Sequence, residues 1–413
     1  MIALRGRLGA LEERPFRLLW LGRSASAIGD ALIPVALAFA VVSDLDGSAS
    51  DLGLVLASFS VSQIAFMLVG GVWADRLPRR SLLIACDVVR GLAEAFTAIV
   101  LLTGAAEVWM LAVTSFVFGA ASAFFRPAAT GLVPETVSGA RLQEANALLG
   151  ISQSATNVFG PVLSGILVAV AGAGWVFAID AVTFAVSAAF LLALRLPAAS
   201  RPPRQRFLAD LAAGWRHVSA RTWLWTNLLA SSVINVAVAT FFVLGPLVAE
   251  RELGGAAAWG AILTGGAIGG VLGGAIALRF RPHRPLVANY LVILPVSLPL
   301  LLLVRPFPAS AVAVGAAFFS GGIMLGNAIW NTVVQSHVPR DALSRVSSYD
   351  LMISVVFMPV GFALAGPVAA AIGEDATLVG AATLAVAANL AVIAVPDVWR
   401  IRTSPRAAAA VAI

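Results

Sequence analysis

Lysine is absent from this chain, cysteine occurs once and histidine three times. A lone Cys86 excludes an intramolecular disulfide and a cysteine-based metal site. His217, His283 and His337 fall in expected loops far apart in sequence, so no metal is assigned. Charge is scarce as well. Only 12% of the 413 residues are Asp, Glu, Lys or Arg, against about 25% in an ordinary soluble domain. No nucleotide-binding glycine loop, H-E-x-x-H pair or nucleophile–His–acid set stands out, so no cofactor is expected. A membrane-embedded enzyme or a receptor is the remote alternative. The all-arginine basic set, with abundant Ala, Gly, Val and Pro, fits a GC-rich bacterial genome.

What is there is apolar. Hydrophobic residues make up 60% of the chain and the mean hydropathy is +0.94. Apolar segments fall near 15–41, 52–73, 81–103, 107–126, 141–171, 175–195, 222–249, 258–279, 285–304, 309–336, 345–371 and 376–396. Each is long enough to cross about 30 Å of hydrocarbon as a helix. Strands are excluded for isolated spans, because lipid leaves their backbone groups unpaired. The expectation is an all-α polytopic membrane protein with twelve transmembrane helices. No cleavable signal peptide is expected: Arg5, Arg7, Arg14 and Arg17 precede the first span without a separate short apolar core.

Arginine sets the orientation. With a cytoplasmic N-terminus, 23 of the 27 arginines lie in or beside cytoplasmic loops, and only Arg251 and Arg305 lie on the other side. That asymmetry places both termini in the cytoplasm and the chain in a bacterial cytoplasmic membrane. The net charge of +6 reflects this topology, and nucleic acid is not an expected partner.

The longest cytoplasmic connection contains "LPAASRPPRQRF" and divides six helices from six. The expected units are an N-terminal bundle 1–195, a linker 196–221 and a C-terminal bundle 222–413 with a short tail. The halves repeat. "LLWLGRSASAIGD" at 18–30 matches "WLWTNLLASSVIN" at 223–235, "GGVWADRLPRR" matches "GGAIALRFRPHR", and "VPETVSGARLQEAN" matches "VPRDALSRVSSYD". The offsets run from about 203 to 205 residues, which points to duplication of a six-helix unit in one orientation. Parallel repeats of this kind build many secondary transporters, with a site near the membrane midplane.

"GGVWADRLPRRSLL", between the second and third spans, packs four charges into six residues: Asp75, Arg76, Arg79 and Arg80. A positive-inside anchor explains the arginines but neither the acid nor the glycines one turn before it. With Gly71, these residues resemble the G-x-x-x-D-R-x-G-R-R signature loop of the major facilitator superfamily, Pro78 standing where the family usually has Gly. The resemblance implies a gating loop in which Asp75 bonds to the other half when the cytoplasmic side is closed. The second copy carries Leu278 in place of the acid, so the gate is one-sided.

The fifth span reads "NVFGPVLSG". Gly160, Pro161 and Gly165 resemble the G-P-x-x-G-G pattern of the exporter branches, with Ser164 replacing one glycine; an ordinary tight-packing face is the alternative. The eighth span carries two interleaved ladders, Gly265, Gly269, Gly273 and Gly266, Gly270, Gly274, suited to close packing, with the fifth span as the expected neighbour. Within the superfamily the whole chain is similar to the enterobactin-exporter and macrolide-efflux branch, through "FRLLWLGRSASAIGD", "RPAATGLVPE" with "LQEANAL", and "FAIDAVTF". One departure matters: Ser115, four residues before Gly119, stands where many drug/proton antiporters carry Arg.

Ionisable groups inside spans are costly and mark pathways or pairs. Asp30 lies mid-span in the first helix, sharing a face with Arg23 and Ser26. Asp87, Arg90 and Glu94 form an i, i+3, i+7 stripe on the third span, where mutual neutralisation is the structural alternative. Asp180, in the outer part of the sixth span, and Asp350, near the inner end of the eleventh, have water within reach. Family geometry puts spans 1, 4, 7 and 10 around a central cavity, which implies that Asn235, Asn327 and Asn331 line it. The resemblance implies a secondary active transporter that exports small amphipathic organic compounds by alternating access, with protons as coupling ion through Asp30 and Glu94 as next candidate. The alternative is import or facilitated diffusion of a small metabolite. The expected partners are a small-molecule substrate and the bilayer, with the protein a monomer.

Overall fold

The computed structural model describes residues 9–195, 218–305 and 307–402, without the side chains of 68–76, 340–342, 344, 345, 347, 348 and 351. Most of the linker, 196–217, therefore lies outside the described residues, as do the surroundings of Gly71, Asp75 and Arg76. Among the described residues there is no strand. In chain order the spans are α1 (Arg14–Phe39), α2 (Ala49–Arg76), α3 (Arg79–Leu102), α4 (Val108–Thr136), α5 (Leu142–Ala171) and α6 (Ala173–Ala193). There follow α7 (Thr222–Val248), α8 (Gly255–Ala277), α9 (Pro285–Val304), α10 (Ala309–His337), α11 (Arg340–Val356, then Met358–Ile372) and α12 (Glu374–Ile393). A short α13 (Pro396–Arg400) follows α12.

Eleven of these helices are long and apolar enough to cross a membrane. The remaining one, α3, holds Arg79, Arg80, Asp87, Arg90 and Glu94. Its amphipathicity is inverted: Asp87, Arg90 and Glu94 are buried, while Val88, Val89, Leu92, Phe96 and Ile99 are exposed. A soluble helix does the reverse. An apolar outer face around a charged inner one suits a helix whose solvent is lipid, so α3 completes the set of twelve.

Residues Met1–Pro203 with Gly254–Gly260 form one compact unit, and Arg204–Leu253 with Ala261–Ile413 the other. In the first unit α2 lies along α4, α3 along α4 and α6, and α1 along α5 and α6. Phe16, Leu19, Leu83, Leu132 and Leu191 build an apolar core at one end of these helices. The motif on α5 is a packing face. A side chain at Gly160 would strike Ala31 of α1, and Ser164 donates its hydroxyl to the Leu32 carbonyl at 2.6 Å. Further along, Gly165 lies against the backbone of Ala256, and Gly260 against the Pro161 carbonyl. These contacts are why the first turns of α8 group with the first unit.

In the second unit α7 packs on α12 and on the later segment of α11, and α9 packs on α10. The α8 ladder meets a different neighbour from the one expected. Gly265, Gly269 and Gly273 face Ala313, Ala317 and Gly321 of α10, with no room for a Cβ at Gly269. The reason is geometric: small residues on both helices let the α8 and α10 backbones meet along about two turns.

Both units wind their first helix into a π turn at its C-terminal end, Ala40–Asp44 after α1 and Ala249–Leu253 after α7. Prolines interrupt the second unit further. A 3-10 turn at Leu294–Val296 breaks α9 beside Pro295, and α11 breaks at Phe357 before Pro359.

Candidate functional site

Arg90 is the centre of the first unit's polar core. Its side chain is 4% exposed, and Nη2 donates to Asp87 Oδ1 at 2.5 Å. Ser187 of α6 donates to the other Asp87 oxygen at 2.6 Å. Nη1 lies 3.7 Å from Asp30 Oδ2 on α1. Three rings complete the enclosure, with the guanidinium carbon 4.1 Å from the centre of Phe125, 4.5 Å from Phe184 and 5.8 Å from Phe118. Cation–π attraction of this kind strengthens where water is excluded. A buried guanidinium thus keeps one close carboxylate, one more distant carboxylate and an aromatic wall.

Asp30 differs from its neighbours. Its side chain is 40% exposed, whereas Asp87 and Asp180 are fully buried and Glu94 is 5% exposed. Asp30 is thereby the one acid of this cluster that meets open space. Asp180 does not reach solvent as its position in α6 suggested. It accepts from Thr183 at 2.9 Å and lies against Gly29 of α1, where any Cβ would overlap the carboxyl. Arg23 shares a face with Asp30 but makes no ion pair among the described residues.

The amide candidates separate into two groups. Asn235 of α7 is engaged, donating to the Ser354 carbonyl of α11 at 2.6 Å, and Ser232 donates to the Ile353 carbonyl at 2.7 Å. These bonds satisfy carbonyls just before the break at Phe357. Asn327 and Asn331, by contrast, are exposed on α10. Nearby Trp330 donates to Asp350 at 2.9 Å and stands edge-on to Trp223. His337 closes α10 against Trp223 instead of sitting in a loop.

Arg79 and Arg80 of the signature loop bind within the first unit. Arg79 reaches Glu135 at 2.5 Å and the Gly131 carbonyl at 3.0 Å on α4. Arg80 donates to the Leu191 and Leu192 carbonyls, both at 2.8 Å, capping the C-terminal end of α6. A cation there meets the negative end of the helix dipole.

The sequence model of the Major Facilitator Superfamily matches residues 19–357, most of the chain. The chain belongs to the major facilitator superfamily. Curated relatives lie within it. Multidrug efflux pump Tap of Mycolicibacterium fortuitum is 25% identical over 89% of this chain and 92% of its own length. Enterobactin exporter EntS of Escherichia coli is 27% identical over 87% of this chain and 86% of its own. An MFS-type transporter of Bacillus subtilis, YfiS, is 27% identical, but the match covers only 54% of each chain. Among solved structures, nucleoside transporter NupG has a TM-score of 0.71 at 13% identity, over 92% of this chain and 98% of that one. At such identity the likeness shows the fold alone. The major facilitator fold of twelve helices and a transport role are therefore established, and with them a small-molecule substrate and a membrane setting.

Several contributors to the charged core were not singled out from sequence. Ser187, Thr183, Phe118, Phe125 and Phe184 are ordinary apolar-span residues by composition. The one signal that could have found them is positional: Asp180, Thr183 and Ser187 share a face of α6 at i, i+3 and i+7.

Proposed function

We propose that this major facilitator protein is a proton-coupled exporter of small amphipathic organic compounds, working by alternating access as a monomer in a bacterial cytoplasmic membrane with both termini inside. The observation that carries the reading is the ratio inside the first unit: of four carboxyls in this core, Asp30, Asp87, Glu94 and Asp180, only Asp87 and Asp30 pair with the Arg90 guanidinium among the described residues. A membrane-buried cluster with more acids than cations has room for protons, and Asp30, the exposed member, gives it a door. Protonation of Asp30 releases its hold on Arg90, which then rests on Asp87; loss of the proton restores the second attraction. That exchange is the differential interaction that a two-state transporter needs. The efflux relatives support the outward direction, and the arginine asymmetry supports the orientation.

Everted vesicles from overexpressing cells, given an imposed pH gradient and a panel of amphipathic dyes including ethidium and Hoechst 33342, test the reading. The expected result is gradient-driven dye accumulation that Asp30→Asn abolishes while dye binding persists. Undiminished pumping by Asp30→Asn overturns the coupling assignment. Downhill equilibration without accumulation overturns the exporter reading in favour of a facilitator.

A further inference from the structure

Glu94 and Asp180 are not needed to hold Arg90. The guanidinium already has Asp87 at 2.5 Å, Asp30 at 3.7 Å and three aromatic rings. Neither Glu94 nor Asp180 has a basic group within ion-pair distance among the described residues. Yet both are more than nine-tenths buried. Each also has one oxygen without any hydrogen-bond partner, Glu94 Oε2 and Asp180 Oδ2. Asp87 bonds to Ser187, and one turn on Gly91 lies against Phe184 and Ala181, so α3 and α6 run antiparallel in a register that brings Glu94 level with Asp180. The other charged groups of this core are Asp30 on α1, next to the Gly29 that Asp180 touches, and Arg90 with Asp87 on α3. Two buried acids on facing helices, neither within ion-pair distance of a base among the described residues and each with an orphaned oxygen, form a place built to carry hydrogen. An unpartnered ionised pair there would bear the full cost of burying charge.

From this geometry we propose that Glu94 and Asp180 form a second proton-binding unit, distinct from Asp30 and Arg90, so that the first six helices load more than one proton per cycle. The proposal deepens the proton-coupled reading and rests on it. Asp180 lies against Gly29, the residue beside Asp30. A proton arriving at the exposed acid therefore has a short path to the buried ones, and Thr183, bonded to Asp180, supplies a hydroxyl on that path.

Infrared difference spectroscopy on the purified full-length protein needs no substrate. A pH step should show two protonated-carboxyl bands, one removed by Asp30→Asn and the other by Glu94→Gln or Asp180→Asn. Thr183→Val, which removes the hydroxyl bonded to Asp180, should shift the second band and leave the first, and it serves where an acid variant fails to fold. Absence of any band sensitive to Glu94→Gln or Asp180→Asn overturns the proposal. So does loss of both bands in Asp30→Asn, which means one shared site. Should Asp30→Asn still pump in the vesicle assay while the second band persists, the coupling role of Asp30 fails and the second unit stands.

Discussion

The two halves descend from one sequence pattern but spend polarity differently. Asp87, on the third helix, has Tyr290 at its duplicate position in the ninth; Asp30 has Asn235; Arg90 has Ile293. In the first half these residues make a charged cluster around one cation. In the second they make separate neutral bonds. Tyr290 donates to Asn227 at 2.8 Å, Asn235 to a backbone carbonyl at 2.6 Å and Asn389 to the Ala385 carbonyl at 2.9 Å. Neutral hydrogen bonds suffice to tie a helix bundle together in lipid. The difference teaches that a six-helix bundle of this pattern can be tied without charge, so the charged cluster of the first half is an addition to the repeat rather than a condition of it. Intramembrane ionisable groups persist where they serve a pathway.

The comparison breaks most sharply at Arg90. Arg90→Leu leaves Asp87 and Asp30 without their cation, and stripping one partner from a buried pair costs about 3–5 kcal/mol. Thermal unfolding in detergent should show little folded protein, whereas Ile293→Leu at the duplicate position should be near neutral. Equal losses would mean that charge is no more structural in one half than in the other.

Packing should weigh on both halves alike. Gly269→Leu drives into the Ala317 backbone and Gly160→Leu into Ala31. Overpacking of this kind costs about 1–3 kcal/mol or more, read as reduced folded yield by size-exclusion chromatography. Normal yield of Gly269→Leu would show that α8 and α10 separate freely.

Transplanting the acid sharpens the contrast. Asn235→Asp replaces the donor to the Ser354 carbonyl with an acceptor, so the two oxygens face each other. A lost buried partner costs about 1–3 kcal/mol, and thermal stability should fall without any gain in proton-driven transport. The smallest effect is expected from Tyr290→Phe. It removes one hydrogen bond, worth about 1 kcal/mol, and should shift thermal stability slightly while transport continues.

Much of this architecture was legible along the chain. Long apolar runs and the placement of arginine gave the spans, and Asp87, Arg90 and Glu94 at i, i+3 and i+7 put three charges on one helical face. What spacing along one helix does not carry is the partner across the bundle. Ser187 is 100 residues from Asp87, and the rings around Arg90 come from α4 and α6. Nothing in "AVVSD" or "AEREL" marks a π turn, because α and π windings draw on the same residues. Asn235 was visible as a polar residue in a span, but its bond depends on the break in α11, a tertiary event.

Gly29 has a consequence for how this protein can vary. Because the Asp180 carboxyl occupies the space where a side chain at position 29 would stand, neither position is free alone. A lineage that acquires even alanine at 29 must shorten or relocate the acid on α6, and one that loses the acid frees position 29 to enlarge. The two sites, 151 positions apart in the sequence, should therefore drift as a pair, leaving a correlated signature among relatives that separates chains with an acid on the sixth helix from those without.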